Sequence, residues 1–120
     1  MKKILVLDDD KDILEIISFI LTEFGYEVRT RSGGETIFED IKAYQPDLLL
    51  MDVMLAGLDG RVICRRIKEN ELTRFLPVIL ISGTHDLSES MNAFGAPNDY
   101  IAKPYDMTLL LNRVKKQLAA

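Results

Sequence analysis

Three aspartates, a serine and a lysine hold most of the reactive potential of this chain, because each stands at the end of a short apolar run. Asp8 and Asp9 follow Ile4-Leu5-Val6-Leu7, Asp52 follows Leu48-Leu49-Leu50-Met51, Ser82 follows Val78-Ile79-Leu80-Ile81, and Lys103 follows Tyr100-Ile101-Ala102. Clustered carboxylates are unfavourable unless a proton or cation offsets them, and oxygen ligands without His or Cys suit a hard ion such as Mg2+ (or Mn2+). A carboxylate is also a nucleophile toward phosphorus, forming an acyl phosphate while a metal neutralises the transferring group. Asp52 is the central candidate for that role, and Lys103 offers a mobile positive charge to a phosphoryl oxygen. Taken singly, Lys103 reads as a solvated lysine, Ser82 as a loop or capping residue and Asp10 as a helix cap. Their common position after apolar runs raises Ser82 and Lys103 above that reading, and Pro104 is able to fix the loop after Lys103 through a cis bond.

The elements that must position these groups alternate along the chain. Ile4 to Leu7 reads as a strand buried on both faces. The spacing of Ile13, Ile16, Ile17, Ile20 and Phe24 predicts a helix, capped by Asp9 or Asp10 and closed at Gly25. Tyr26 to Thr30 alternates like an edge strand, and Gly33-Gly34 opens a second helix through about Tyr44. Strand Leu48 to Met51 comes next, then a loop through Gly60 and a helix with Val62, Ile63 and Ile67. Strand Val78 to Ile81 precedes a short fourth helix marked by Leu87, Met91 and Phe94. Gly95-Ala96-Pro97 breaks that helix, strand Tyr100 to Ala102 follows, and a fifth helix uses Met107, Leu110, Leu111, Val114 and Leu118. The pattern predicts an α/β fold, a doubly wound flavodoxin-like (βα)5 domain with helices on both faces of a five-stranded parallel sheet of order 2-1-3-4-5. In such sheets ligands bind beyond the carboxyl ends of the strands, where Asp8, Asp9, Asp52, Ser82 and Lys103 fall.

Composition narrows the function further. The chain has 120 residues, 48% of them hydrophobic, which suits one domain over residues 1–120 with a single core region. No apolar run approaches the ~20 residues of a membrane span, and Met1-Lys2-Lys3 is not followed by a signal-peptide pattern. One cysteine, Cys64, excludes an internal disulfide and favours a reducing cytoplasm. Nineteen acidic against fifteen basic residues, a formal charge of −4, give no footprint for nucleic acid or an anionic membrane, so a protein partner is expected.

The chain resembles a response-regulator receiver domain of two-component signalling, of the chemotaxis-receiver kind, from Lys3 to about Leu118. The resemblance rests on Ile4-Leu5-Val6-Leu7-Asp8-Asp9, Pro46-Asp47-Leu48-Leu49-Leu50-Met51-Asp52, Asp59-Gly60, Leu76-Pro77-Val78-Ile79-Leu80-Ile81-Ser82 and Asp99-Tyr100-Ile101-Ala102-Lys103-Pro104-Tyr105. It implies that Asp52 accepts the phosphoryl group from a histidine kinase or histidine phosphotransfer protein. Asp9 would bind the metal directly, Asp8 through water, and Met54 through its backbone carbonyl. Ser82 and Lys103 would contact the phosphoryl group, and Tyr100 would be the aromatic switch residue. The first helix would meet the phosphodonor, while the fourth helix, fifth strand and fifth helix would form the output face for a target or a self-dimer. The domain would catalyse only its own phosphoryl transfer and dephosphorylation. Departures are Ala56 where proline is usual, Ser82 for threonine, Gly83 for alanine and Tyr105 for phenylalanine. Ala56 removes a restraint on the loop after Asp52. Met54 and Thr84 at the rim offer no carboxylate or amide to orient water, so fast hydrolysis is not expected.

Rival readings fit fewer residues. A haloacid-dehalogenase-like phosphatase would use Asp8 as nucleophile and Asp10 as acid/base. That leaves Asp52 unexplained, puts Asp12 where a threonine is expected, and provides no cap domain. A flavodoxin-like flavin binder needs a Thr, Ser and Gly-rich loop after the first strand. A receiver-shaped scaffold without phosphorylation is disfavoured by the intact site. His85 reads as an exposed loop residue, Cys64 as partly buried packing, and Gly33-Gly34 as a turn at the start of a helix rather than a phosphate loop.

Overall fold

The computed structural model describes residues 1–83 and 95–119. Five parallel strands form the sheet: β1 (Lys3–Leu7), β2 (Glu27–Arg31), β3 (Leu48–Asp52), β4 (Val78–Ser82) and β5 (Asp99–Ala102). Their order is β2-β1-β3-β4-β5, the doubly wound order expected from the sequence. Three helices, α1 (Lys11–Glu23), α2 (Ile37–Tyr44) and α3 (Gly60–Glu69), connect the first strands, and a C-terminal helix spans Met107–Leu118. The expected fourth helix, with Leu87, Met91 and Phe94, lies outside the described residues, as do His85 and Thr84.

Strands β1, β3 and β4 are apolar on both faces because both faces are covered. On one side Leu5, Leu7, Leu49, Met51, Val78 and Leu80 pack against Ile37 and Ile41 of α2 and Ile63, Cys64 and Ile67 of α3. On the other, Ile4, Val6, Leu48, Leu50, Ile79 and Ile81 meet Leu14, Ile17 and Leu21 of α1 and Leu110 and Val114 of the C-terminal helix. Strand β2 alternates exposed and half-buried residues, as its edge position requires.

Several local expectations change. Helix α1 is capped by the Asp10 carboxylate, which accepts from Asp12 N and Ile13 N, and it closes before Gly25 at φ +94°. Its buried stripe, however, is Leu14, Ile17 and Leu21, while Ile16 and Phe24 face solvent together with Phe19. The segment is apolar around most of its circumference, so spacing alone allows two stripes, and contact with the sheet selects one. Val62 of α3 is likewise exposed, and Cys64 takes the buried position. Helix α2 begins only at Ile37, after Thr36. The segment between Asp52 and Gly60 is not an open loop: Met54–Leu55 pairs antiparallel with Leu58–Asp59 in a short hairpin that turns at Gly57, φ +74°.

Candidate functional site

Strand register brings the candidate residues together. Leu7 pairs with Met51, so Asp8 leaves β1 beside Asp52 at the end of β3. Asp52 pairs with Ile81, placing Ser82 one step further, and Ser82 pairs with Ala102, the residue before Lys103. Backbone bonds continue past the strands, from Val53 N to Ile81 O at 2.9 Å and from Lys103 N to Ser82 O at 2.8 Å. A one-residue slip in any of these pairings would send the carboxylates to the opposite face.

One carboxylate oxygen from each of Asp8, Asp9 and Asp52 lies within 4.8 Å of the others. Asp8 and Asp52 are buried and Asp9 is exposed, so the cluster opens to solvent on the Asp9 side. Asp8 Oδ1 accepts from Asp10 N at 2.9 Å, and Asp52 Oδ1 accepts from Met54 N at 3.0 Å. Lys103 Nζ donates to Asp52 Oδ2 at 2.7 Å. Ser82 is fully buried beside this pair of strands.

Electrostatics follow from that crowding. Burial pushes the Asp8 carboxyl up to about 6, and the neighbouring Asp52 carboxylate adds to the rise against the opposing Asp10 N–H. Burial alone would lower the Lys103 ammonium, but its hydrogen bond to Asp52 and the charges of Asp52 and Asp8 outweigh this and leave it raised. Three acidic oxygens, all hard donors, with one carboxyl resisting ionisation, form a set that a divalent cation of the magnesium type would relieve. The donor set therefore fits such an ion at Asp8, Asp9 and Asp52.

Tyr100 is half-buried on β5, with its ring packed against the layer formed by α2 and α3. Its backbone oxygen accepts from Arg113 Nη1 at 3.3 Å, and the same Nη1 binds Asp99 Oδ1 at 2.7 Å, tying β5 to the C-terminal helix. Met54 follows Asp52 in the hairpin with its side chain exposed. The Lys103-Pro104 bond is cis, as the sequence allowed. Tyr105 is half-buried beside Lys103, and burial raises its phenol.

One contributor escaped the sequence reading of single residues. A Cβ on Gly60 would lie 2.5 Å from Asp52 O and 3.0 Å from Val53 Cα, so only glycine lets α3 start against the end of β3. Gly60 N also donates to Val53 O at 2.8 Å. Its only sequence signal was the Asp59-Gly60 pair, where Asp59 caps α3 by accepting from Arg61 N.

Comparison with known proteins agrees with this geometry. The family model for the response regulator receiver domain matches residues 4–115. The chain belongs to that family, and it is a receiver domain of two-component response regulators, a phosphoacceptor switch. Among its relatives, the DNA-binding dual master transcriptional regulator RpaA of Synechocystis sp. is 32% identical over 119 residues, covering 98% of this chain and 49% of RpaA. The response regulator PleD of Caulobacter vibrioides is 33% identical over 114 residues, covering 94% of this chain and 25% of PleD. The chain thus spans about half or less of the length of these relatives. Among solved structures, the Thermotoga maritima response regulator TrrA in complex with Mg2+ and BeF has a TM-score of 0.86 at 27% identity, with 98% of this chain and 100% of that one covered. DrrB, a Thermotoga maritima OmpR/PhoB homologue, has a TM-score of 0.82 at 38% identity, covering 98% of this chain and 52% of DrrB.

Proposed function

We propose that residues 1–120 form one receiver domain in which Asp52 accepts the phosphoryl group from a histidine kinase or histidine phosphotransfer protein. The observation that carries this reading is the buried Asp52 carboxylate held at 2.7 Å by Lys103 inside a cluster of three acidic groups. An oxygen of Asp52 attacks phosphorus, the acyl–phosphate bond forms, and the bond from phosphorus to the donor imidazole breaks. Lys103 moves its ammonium from the carboxylate to a phosphoryl oxygen, so its positive charge follows the developing negative one. Asp9, Asp52 and the Met54 carbonyl would hold Mg2+ (or Mn2+), with Asp8 acting through water. When bound, that ion neutralises charge on the transferring group.

Ser82 donates its hydroxyl to the new phosphoryl group, and the space it leaves admits the half-buried Tyr100. A phosphoryl group brings about −1.5 to −2 charges and three acceptor oxygens, enough to bias such a two-state contact. The output face comprises the fourth helix, β5 and the C-terminal helix, and it serves a protein target or a second copy of the chain. The exposed apolar residues Ile16 and Phe19 on α1, with Phe24 at its C-cap, support docking of the phosphodonor there. The domain is a signalling switch that catalyses only its own phosphorylation and dephosphorylation, works in the cytoplasm and makes no direct contact with nucleic acid or membrane. Among the described residues no helix is long and apolar enough to cross a membrane.

The test is incubation with Mg2+ and acetyl phosphate, or with beryllofluoride, for wild type and Asp52→Asn. A metal-dependent phosphoryl adduct by mass, with shifts of Tyr100 resonances, is expected in wild type alone. Absence of any response in wild type would return the scaffold reading to first place.

A further inference from the structure

The hairpin after Asp52 carries Met54, yet its own turn restrains it weakly. Ala56 lacks the fixed φ that proline would impose, and Gly57 adds freedom. On one side the hairpin is tied to the end of β3 through Met54 N to Asp52 Oδ1, Leu55 N to Val53 O at 3.2 Å and Gly60 N to Val53 O. On the other side it meets Gly34, in the segment between β2 and α2. A Cβ on Gly34 would lie 2.7 Å from Ile63 Cδ1, 3.3 Å from Leu58 Cδ1 and 3.4 Å from Leu55 Cδ1. Gly34 is buried, and its oxygen accepts from Ile37 N at 3.3 Å, so it is held in place at the opening of α2.

We infer that Gly34 is a positioning residue for the phosphoacceptor site: by its missing side chain it forms the socket for Leu55 and Leu58 and thereby sets where the hairpin carries Met54 past Asp52. Packing from a distant loop thus replaces the local restraint that Ala56 does not provide. The inference rests on the proposed function for its consequence at the metal site, but its geometry is independent of any ion. Close packing means that one added methyl group displaces its neighbours or strains them. An added methyl group presses on the tip of Ile63 and on Leu58 together, and Leu58, the exposed one of the two, carries the displacement into the hairpin.

Gly34→Ala, Leu58→Ala, Ile63→Val and the double variant Gly34→Ala/Ile63→Val separate positioning from general packing. Amide exchange of Met54, whose N–H bonds Asp52, is compared with that of Leu50 in the centre of β3, without metal. Gly34→Ala and Leu58→Ala are each expected to speed Met54 exchange about tenfold relative to Leu50. The double variant, which removes Ile63 Cδ1, should return it to near the wild-type value. If Gly34→Ala does not fold, Leu58→Ala decides alone, because it loosens the same socket from the exposed side. Melting temperatures that fall while Met54 exchange stays level with Leu50 overturn the inference. A parallel Mg2+ titration of wild type by NMR tests the reading beneath it: failure to bind Mg2+ overturns the metal site, while the exchange result still decides the role of Gly34.

Discussion

At the scale of single residues, the charge state of Asp8 bears directly on the stability of the fold. Its carboxyl is held up at about 6 by burial and then by Asp52, against an ordinary value of 3.8. A raised native value means the folded state keeps its proton longer than the unfolded chain, so this group costs stability as pH rises from about 4 through 6. Asp8→Asn removes the cost while its amide oxygen still accepts the Asp10 N–H. In metal-free buffer it should stabilise the domain by about 1–3 kcal/mol at neutral pH and by almost nothing near pH 4. Urea titrations of both proteins at the two pH values measure the difference, and equal stability at neutral pH would show that ionising the buried Asp8 costs the fold nothing. Cys64 behaves in the opposite range. Its thiol is buried, donates to Gly95 O at 3.5 Å and is pushed up to about 11 by burial, with Lys68 pulling slightly down. The unfolded thiol ionises near 9.0, so stability contributed by the protonated native thiol is lost as pH climbs through that interval. At neutral pH an aromatic disulfide reagent should label Cys64 only as fast as the domain opens, and labelling in native buffer at the rate seen in urea would contradict its burial.

At the scale of elements, the two glycines that flank the site make opposite predictions. Alanine at Gly60 would press on the backbone of Asp52 and Val53, which cannot retreat, and should cost about 1–3 kcal/mol. Alanine at Gly83 meets no described atom within 4 Å and should be neutral or stabilise by up to about 1 kcal/mol, because the unfolded chain loses freedom. Denaturant midpoints of the two variants check the contrast. The elements themselves were legible wherever burial imposes one pattern: β1, β3 and β4 announced themselves as unbroken apolar runs and β2 by alternation. The phase of α1 was not legible, since Ile13 to Leu21 offers two stripes at helical spacing and only the facing sheet residues choose Leu14, Ile17 and Leu21. The hairpin after Asp52 was missed because two-residue strands hold too few side chains to show a period.

For the whole molecule, one sheet separates two apolar layers, and that separation predicts independence. Ile17→Val on the α1 side and Ile67→Val on the α3 side should each cost about 0.5–1.5 kcal/mol, and the double variant should lose their sum to within about 0.5 kcal/mol. Coupling beyond that in urea denaturation would mean that the sheet transmits repacking from one layer to the other. The site was largely legible for a related reason: a parallel sheet in register gathers whatever follows its strands, so Asp8, Asp52, Ser82 and Lys103 could be placed from their positions after apolar runs. The close approaches at Gly34 and Gly60 were not, because a missing side chain has meaning only once its neighbours are known. The contact between Lys103 and Asp52 has a further consequence for a cell that holds many phosphodonors. An ammonium tethered to the same fold acts as a cation at an effective concentration of about millimolar or more, present whatever the surroundings supply. Under the function proposed above, one oxygen of Asp52 is already paired with Lys103, and a brief encounter with the wrong donor meets a carboxylate whose lysine has first to move.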